Sequence, residues 1–290
     1  MAKAPKENSL DIQALKRDSV ILNIVGTTPM LMHRFSKKAQ RELLFPSGRK
    51  NSAEKAESLK HDPLNEYREA VYLNRDTSRP SAIHIPSNAF STAMASAALD
   101  IPGATKAQIM RLVSVDTMQI DMFGVPKMAM HMVRSSDMNR TPDVRTRPCF
   151  PEWACRIEIG FVATMLKPSQ IVNLVAAAGM IVGIGDWRPQ KGGMFGKFRI
   201  ANGDDKEFQN IMKTGGTKAQ RAAIQNPEFF DADTEELYMW FTQEAKRRER
   251  NVPSASPHRL EDSGETIDPV VASKANGKRK ASRRNGARAN

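Results

Sequence analysis

The sequence predicts an α+β domain, because segments with strand periodicity and segments with helix periodicity alternate between residues 20 and 200. Apolar residues occupy every second position from Ile157 to Phe161, which is typical of a half-buried strand. From Ile171 to Ala178 they instead recur at helical spacing and form one apolar stripe. An apolar content of 40% in 290 residues is enough to build a core.

The predicted core elements follow the order strand, helix, strand pair, strand, helix, strand. The β-branched run Val20–Val25 predicts the first strand, and Ser87 is a suitable N-cap for the first helix. Alternating methionines at 118–122 and 128–132 predict a hairpin. A closing strand is expected at Phe195–Ile200. This order corresponds to βαββαβ, a ferredoxin-like fold with insertions, which also underlies the RNA-recognition motif.

The segments outside this core are predicted to be insertions and extensions. They are a flexible arm at 1–18, a helical insertion at 27–80 with short helices near 37–44, 52–60 and 64–73, an arginine-bearing loop or extended arm at 134–151, a helical extension at 202–250, and a disordered basic tail at 251–290. Because the insertion at 27–80 has few large apolar residues, we expect it to lie on the surface and outside the core.

The charge of the chain favours a polyanionic partner. A net charge of +12 and a pI near 9.8 attract phosphate backbones or anionic membranes. No apolar run is long enough to span a membrane, and the N-terminus lacks the apolar segment of a signal peptide. Two cysteines, Cys149 and Cys155, cannot form a disulfide framework or a paired zinc site. We therefore expect a cytoplasmic protein without a membrane partner.

The segment Gly183–Ile200 carries the strongest functional signal. Five glycines stand here among lysines, arginines and Trp187, between a helix-like run and a strand-like run. Glycine permits left-handed backbone and the close approach of another chain, and the cations can neutralise phosphates. The segment follows a helix and does not match GxGxxG, so it does not predict a dinucleotide site. It predicts contact with a nucleic-acid strand.

We expect nucleic-acid contacts from this loop and from the arm. The loop residues are Gly183, Gly185, Trp187, Arg188, Lys191, Gly192, Gly193, Phe195, Gly196, Lys197 and Arg199. The arm residues are Arg134, Arg140, Arg145 and Arg147. The cations would neutralise phosphates, the glycines would admit the strand, and Trp187 or Phe195 would stack bases. Two alternatives stay open: Trp187 packs over the neighbouring glycines, or the arm is only a solvated loop.

Catalytic and metal-binding residues are weaker candidates. His33 and His84 could act as a general acid or base, although neither has an evident partner in the sequence. Asp137, Asp143 and Asp186 do not cluster with other carboxylates, so turn or capping roles are expected. The sequence therefore predicts no catalytic residue, no metal and no cofactor.

The early strand, the segment Ile83–Phe90 and the loop Gly183–Ile200 together resemble the RAMP superfamily (repeat-associated mysterious proteins). They are similar above all to the backbone subunit of CRISPR effector complexes, and a virus-encoded relative that coats single strands is one variant. The resemblance covers residues 19–201. It implies a modified RNA-recognition fold, a glycine-rich loop against the strand, and a basic helix and sheet face along the groove. It also implies guide RNA or other effector subunits as partners, and subunits that polymerise along the strand.

The sequence thus predicts a non-enzymatic protein that lays single-stranded RNA or DNA along a ferredoxin-like sheet. A homo-oligomer or filament along the strand is expected from the resemblance. One alternative is a metal-independent RAMP-type endoribonuclease that uses His33 or His84. The other is a structural or interaction protein whose basic tail neutralises an acidic partner.

Overall fold

The computed structural model describes residues 14–45, 61–134 and 140–251. Its strands are β1 (Arg17–Gly26), β2 (Met30–Leu31), β3 (His84–Pro86), β4 (Val113–Val115), β5 (Gln119–Phe123), β6 (Lys127–Arg134), β7 (Pro142–Phe150), β8 (Ala154–Val162) and β9 (Phe198–Ala201). Its α-helices are α1 (Lys37–Leu44), α2 (Pro63–Glu69), α3 (Asn88–Ala97), α4 (Lys106–Leu112), α5 (Pro168–Ala177), α6 (Lys206–Thr214), α7 (Thr217–Gln225) and α8 (Ala232–Asn251). The predictions for 1–13, 52–60 and the tail from 252 onward lie outside the described residues.

The main sheet has the strand order β3-β5-β8-β1-β9, and β4 also pairs with β8. All these pairings are antiparallel, so β1 runs parallel to β5 and β8 runs parallel to β9. Helix α3 lies in the connection from β1 to β5, and α5 lies in the connection from β8 to β9. These two interleaved βαβ units define a ferredoxin-like core. The predicted α+β class and ferredoxin-like arrangement are confirmed.

Apolar side chains from both helices pack on one face of this sheet. Leu22 and Ile24 are alternate residues of β1 and belong to this core together with Ile171 of α5. Phe90 of α3 meets Phe198 of β9 edge to face, with ring centroids 5.4 Å apart. Each fully buried Leu, Ile or Phe side chain stabilises the fold by about 1.5–3 kcal/mol. The two helices thereby fix where the glycine-rich loop leaves α5 and enters β9.

A second antiparallel sheet has the order β2-β7-β6. Strand β6 pairs with β7 over eight residue pairs, beginning with Lys127 opposite Cys149. The predicted hairpin between 118–122 and 128–132 is therefore wrong, because β5 pairs with β3 and β8 instead. Period-two alternation reports two faces of a strand but not the identity of its partner. At the expected turn, the Gly124 amide donates to the carbonyl of Gly215 at 2.9 Å.

The prediction of a loop or arm at 134–151 is corrected by strand β7. Polar and charged residues on β7 suggested a loop, yet one face of the strand is covered and the segment from Thr146 to Phe150 is buried. The expectation that 27–80 lies wholly outside the core is also wrong. Tyr67 and Val71 are fully buried, and Met30–Met32 is buried as well. A few apolar residues are sufficient for burial when the second sheet supplies the rest of their surroundings.

Two further observations concern the position of the site in the chain and the character of the helices. The chain divides after Glu249, and the site described below lies wholly before that point. Across the described ranges, no helix combines the length and apolarity needed to cross a membrane.

Candidate nucleic-acid interface

The glycine-rich loop is tied to β2 and to the residue that precedes it. The amide of Asp186 donates to the Leu31 carbonyl at 2.8 Å, and the amide of Gly196 donates to the Pro29 carbonyl at 2.8 Å. Within the loop, the Ile184 amide donates to the Gly196 carbonyl at 2.9 Å. A loop whose backbone groups are paired at both ends has a defined shape before any ligand arrives. The backbone that carries its side chains is therefore fixed before a ligand binds.

Close packing of the loop on itself explains most of its glycines. A Cβ atom at Gly193 would collide with the Trp187 carbonyl oxygen, and one at Gly196 would collide with the Ile184 carbonyl oxygen. At Gly192 nothing lies within 4 Å of such an atom. The glycines were predicted to admit a bound strand, but most of them admit the loop's own backbone.

A buried ion pair joins the loop to the second sheet. Arg147 on β7 is only 2% exposed, and its Nη1 donates to Asp186 Oδ2 at 2.5 Å. Arg147 was predicted to contact a strand, but its burial assigns it to holding the loop instead. Its Nε and Nη2 atoms are buried without a hydrogen-bond partner among the described residues. Asp186 is therefore the carboxylate that compensates this cation.

Asp186 also gives His33 a partner that the sequence did not reveal. His33 Nδ1 lies 3.5 Å from Asp186 Oδ2, and the Trp187 amide donates to Asp186 Oδ1 at 2.9 Å. The hydrogen bond from His33 and then the charge and hydrogen bond of Arg147 hold the pKa of the Asp186 carboxyl well below its usual range, against the opposing effect of burial. Asp186 has the expected turn role, and it is also the centre of a charged cluster.

An aromatic cluster lies beside this pair. Trp187 stacks on Phe195 with centroids 5.7 Å apart, and His131 of β6 meets both rings edge to face at 5.6 and 5.9 Å. Phe195 is 9% exposed, so it has no free face for a base. Trp187 is 41% exposed and both packs on the loop and reaches solvent. The sequence did not predict His131 as a site residue, because the alternating methionines that predict the strand lie on the other face of β6.

Apart from the buried Arg147, the predicted cations fall into three groups. Arg199 is ion-paired with Asp205 and Glu207, each at 2.6 Å, so its charge is compensated within the protein. Arg188 donates to the Gln190 side chain at 2.9 and 3.2 Å and to the Gly185 carbonyl at 3.1 Å, all neutral acceptors. The third group has exposed or half-exposed side chains and comprises Lys191, Lys197, Arg134, Arg140 and Arg145.

The loop and the β6–β7 hairpin form one continuous surface. Arg145 stands opposite His131 in the strand register, and cross-strand neighbours project from the same face. His131 in turn touches Trp187. We call Trp187, Arg188, Lys191, His131 and Arg145 the loop–hairpin surface. The structure thus brings together part of the predicted loop and part of the predicted arm.

A cleft of about 310 Å³ adjoins this surface. One wall is the loop, with Gly185, Asp186 and Arg188, and the opposite wall is the start of α3, with Asn88 and Thr92. The remaining lining comprises Met30, Leu31, Met32, His33, Tyr72, Ile85, Pro86, Ala89, Ala93, Gly183 and Ile184. The cleft therefore has apolar and polar sides, as small-ligand sites have.

His84 lies apart from these groups. It is 7% exposed, its ring centroid is 5.7 Å from that of Tyr72, and burial lowers its pKa. Its Nδ1 has no hydrogen-bond partner among the described residues. No group of three His, Cys, Asp or Glu side chains suited to a metal occurs in the described ranges, and Asp137 lies outside them. His84 is positioned as a core histidine rather than as an acid or base.

The open face of the main sheet does not fit the expectation of a strand laid along it. Helix α6 covers part of this face through Phe208 and Ile211. Elsewhere its polar side chains bond to one another, as Ser19 does to Glu158 at 3.1 Å and Arg156 does to Asn23 at 3.0 Å. Among its exposed described residues there is no aromatic ring, so the face offers no platform for base stacking.

Comparisons with known proteins find similarity among solved structures. No protein-family model matches it, and no curated protein matches it. It is similar to the crystal structure of Cmr6 from Pyrococcus furiosus, with 9% identity and a TM-score of 0.33 over 64% of this chain and 98% of that one. It is also similar to the cryo-EM structure of the Type III-B Cmr-beta bound to cognate target RNA, with 13% identity and a TM-score of 0.32 over 63% and 59% of the two chains. At these values the likenesses carry no functional argument.

Proposed function

We propose that the protein is a non-enzymatic binder of single-stranded nucleic acid. The proposal rests on one observation above all: Arg188, the residue after Trp187 in the chain, is held by neutral acceptors only. No carboxylate among the described residues pairs with Arg188, so its charge is available to a phosphate. Single-strand binding combines such a cation with an accessible aromatic ring, and the partly exposed Trp187 supplies that ring on the same loop.

The loop–hairpin surface gives the strand a path. Arg188 and Lys191 would contact phosphates, and Trp187 would offer its exposed side to a base. Arg145 continues the positive charge along the hairpin, toward Arg140 near its end. Arg134 is three residues from His131 on β6 and therefore projects from the other face of the hairpin. Because the ion pair of Arg147 fixes the loop, little ordering entropy is lost when a strand binds.

Assembly forms a second part of the proposal. On the resemblance to the RAMP superfamily, copies of the protein would assemble cooperatively along RNA or DNA, alone or with other effector-complex subunits. A ladder of protected lengths with a constant step, seen after nuclease digestion of the complex, would support this part. Protection of one short length only would contradict it.

The binding proposal is tested by removing two cations from the loop. Arg188→Ala with Lys191→Ala should weaken binding to a single strand at least tenfold, or about 1.4 kcal/mol. The slope of log K against log salt should become shallower by roughly two. Filter binding at several salt concentrations measures both quantities.

A matched control removes the same charge elsewhere. Lys213 and Lys218 are exposed on α6 and α7, away from the loop, and their double alanine variant should change affinity and slope much less. Equal effects of the two double variants would mean that net charge, and not this surface, causes binding. Absence of single-strand binding by the unaltered protein would remove the proposal.

One observation favours a second candidate function, a metal-independent endoribonuclease. His33 Nδ1 is 3.5 Å from a carboxylate oxygen of Asp186, and both residues line the cleft. A carboxylate that orients an exposed histidine is typical of general acid–base catalysis. Incubation of labelled structured RNA without metal separates the two proposals. Cleavage that disappears in His33→Ala would establish the enzyme, and intact RNA supports the binding protein.

A further inference from the structure

The cleft between the loop and α3 contains a carboxylate in a surface that otherwise attracts phosphate. Asp186 lines this cleft, and its side chain is 36% exposed. An ionised carboxylate repels phosphate and accepts hydrogen bonds only. The cleft next to Asp186 therefore suits an uncharged group with N–H donors, while the phosphates of the same strand lie toward Arg188 and Lys191.

Asp186 retains acceptor positions for such a group. Its Oδ1 accepts one hydrogen bond, from the Trp187 amide, which leaves a lone pair free. Its Oδ2 accepts from Arg147 at 2.5 Å, whereas the second contact, with His33, is at 3.5 Å, the limit of a hydrogen bond. A ligand donor can replace that long contact. Two adjacent N–H groups could therefore bind the carboxylate in a bidentate manner.

The opposite wall offers groups of complementary character. Asn88 and Thr92 are exposed, stand one turn apart on α3 and line the cleft. Neither side chain has a hydrogen-bond partner among the described residues. An amide and a hydroxyl can donate to acceptor atoms of a ligand whose donors face Asp186. Apolar residues such as Met30, Ile85 and Ala89 line the space between the two walls.

Among the four common bases, guanine matches this arrangement. Its Watson–Crick edge presents two adjacent donors, N1–H and the 2-amino group, and its other edge presents the acceptors O6 and N7. Adenine and cytosine each place an acceptor nitrogen beside their amino group, which a carboxylate would repel. Uracil places its single N–H between two carbonyl oxygens. This difference in the positions of donor and acceptor atoms decides which base the carboxylate can bind through two hydrogen bonds.

We propose that this cleft is a guanine-selective subsite that takes one unstacked base of the bound strand. The inference rests on the proposed single-strand binding and adds the base for which the cleft is selective. Asp186 would accept from the Watson–Crick edge, and Asn88 and Thr92 would donate to the opposite edge. The base would enter between the loop and α3 while Trp187 stacks a neighbouring base.

Base analogues test the subsite on the unaltered protein. Fluorescence anisotropy would compare short uridine strands that carry one central guanine, inosine or adenine, prepared as RNA and as DNA. Inosine lacks only the 2-amino group of guanine. The guanine strand should bind about tenfold more tightly than the inosine and adenine strands, since a lost bidentate contact of this kind has that size.

A variant checks the opposite wall without disturbing the ion pair. Asn88 occupies an exposed position on α3. Its replacement in Asn88→Ala should reduce the preference for guanine several-fold while uridine strands bind as before. Equal affinity for the three strands would overturn the subsite and leave single-strand binding intact. No binding of any strand would overturn both proposals. A guanine preference that survives unchanged in Asn88→Ala together with Thr92→Ala would also overturn the assigned arrangement.

Discussion

The ion pair between Arg147 and Asp186 makes an asymmetric prediction about stability. Arg147 is 2% exposed, whereas the Asp186 side chain is 36% exposed. Asp186→Asn leaves a buried guanidinium without a counter-charge, and two of its nitrogens already lack a partner among the described residues. Loss of one partner of a buried pair costs about 3–5 kcal/mol, and the low end applies because the Asn oxygen still accepts a hydrogen bond.

The reverse substitution should cost much less. Arg147→Met removes the buried charge and leaves Asp186 with water, the Trp187 amide and His33, so we expect a loss of about 1–2 kcal/mol. Urea unfolding, followed by tryptophan fluorescence, measures both variants. Asp186→Asn should therefore be the less stable of the two by at least about 1 kcal/mol.

The double variant completes the measurement. If the buried guanidinium is the source of the cost, Asp186→Asn combined with Arg147→Met should be more stable than Asp186→Asn alone. Equal losses in the two single variants, or a larger loss in Arg147→Met, would refute the reasoning. As a control, the slope of the free energy of unfolding against urea concentration should be the same in all variants, which shows that their unfolded states are comparable.

Three further predictions follow from the same contacts. Trp187→Ala should weaken single-strand binding by about 1–3 kcal/mol with an unchanged salt slope, which a titration at several salt concentrations measures, and a shallower slope would contradict a stacking role. Gly193→Ala should destabilise the fold more than Gly192→Ala, because a Cβ meets the Trp187 carbonyl oxygen at the first position and open space at the second; equal unfolding midpoints would contradict this packing. The pKa of Asp186 is lower in the folded protein than its ordinary value near 3.8, so the ionised carboxylate stabilises the fold at pH values above about 4. The difference in free energy of unfolding between the unaltered protein and Asp186→Asn should therefore decline as the pH falls below about 4, and a constant difference in acid would contradict it.

Much of the fold follows from local pattern. The spacing of Ile157–Phe161 and Ile171–Ala178 predicts a strand and a helix. β8 includes the first segment, and α5 includes the second as far as Ala177. The alternation in 128–132 likewise predicts a strand, which β6 provides, but it does not identify β7 as the partner. Strand periodicity depends on neighbours two residues away, whereas pairing depends on what the rest of the chain covers.

The site could be predicted only in part for the same reason. The composition of the loop predicted Trp187 and Arg188 as site residues. Arg188 lines the cleft, and the ring of Trp187 contacts His131 of the hairpin. His131 was missed, and Arg147 and Phe195 were assigned to a strand although both are buried. Composition shows which residues can bind a phosphate or a base, but burial decides which of them can be reached.

By itself, the sequence determined the α+β class, the order of the core elements and the basic, glycine-rich character of the loop, because these properties depend on residues close together in the chain. The tertiary structure decided that most of the glycines serve the loop's own packing. It also decided that Asp186 meets both Arg147 and His33, residues remote from it in sequence. Such contacts exist only when the second sheet closes over the loop, since burial and ion pairing depend on distances in space.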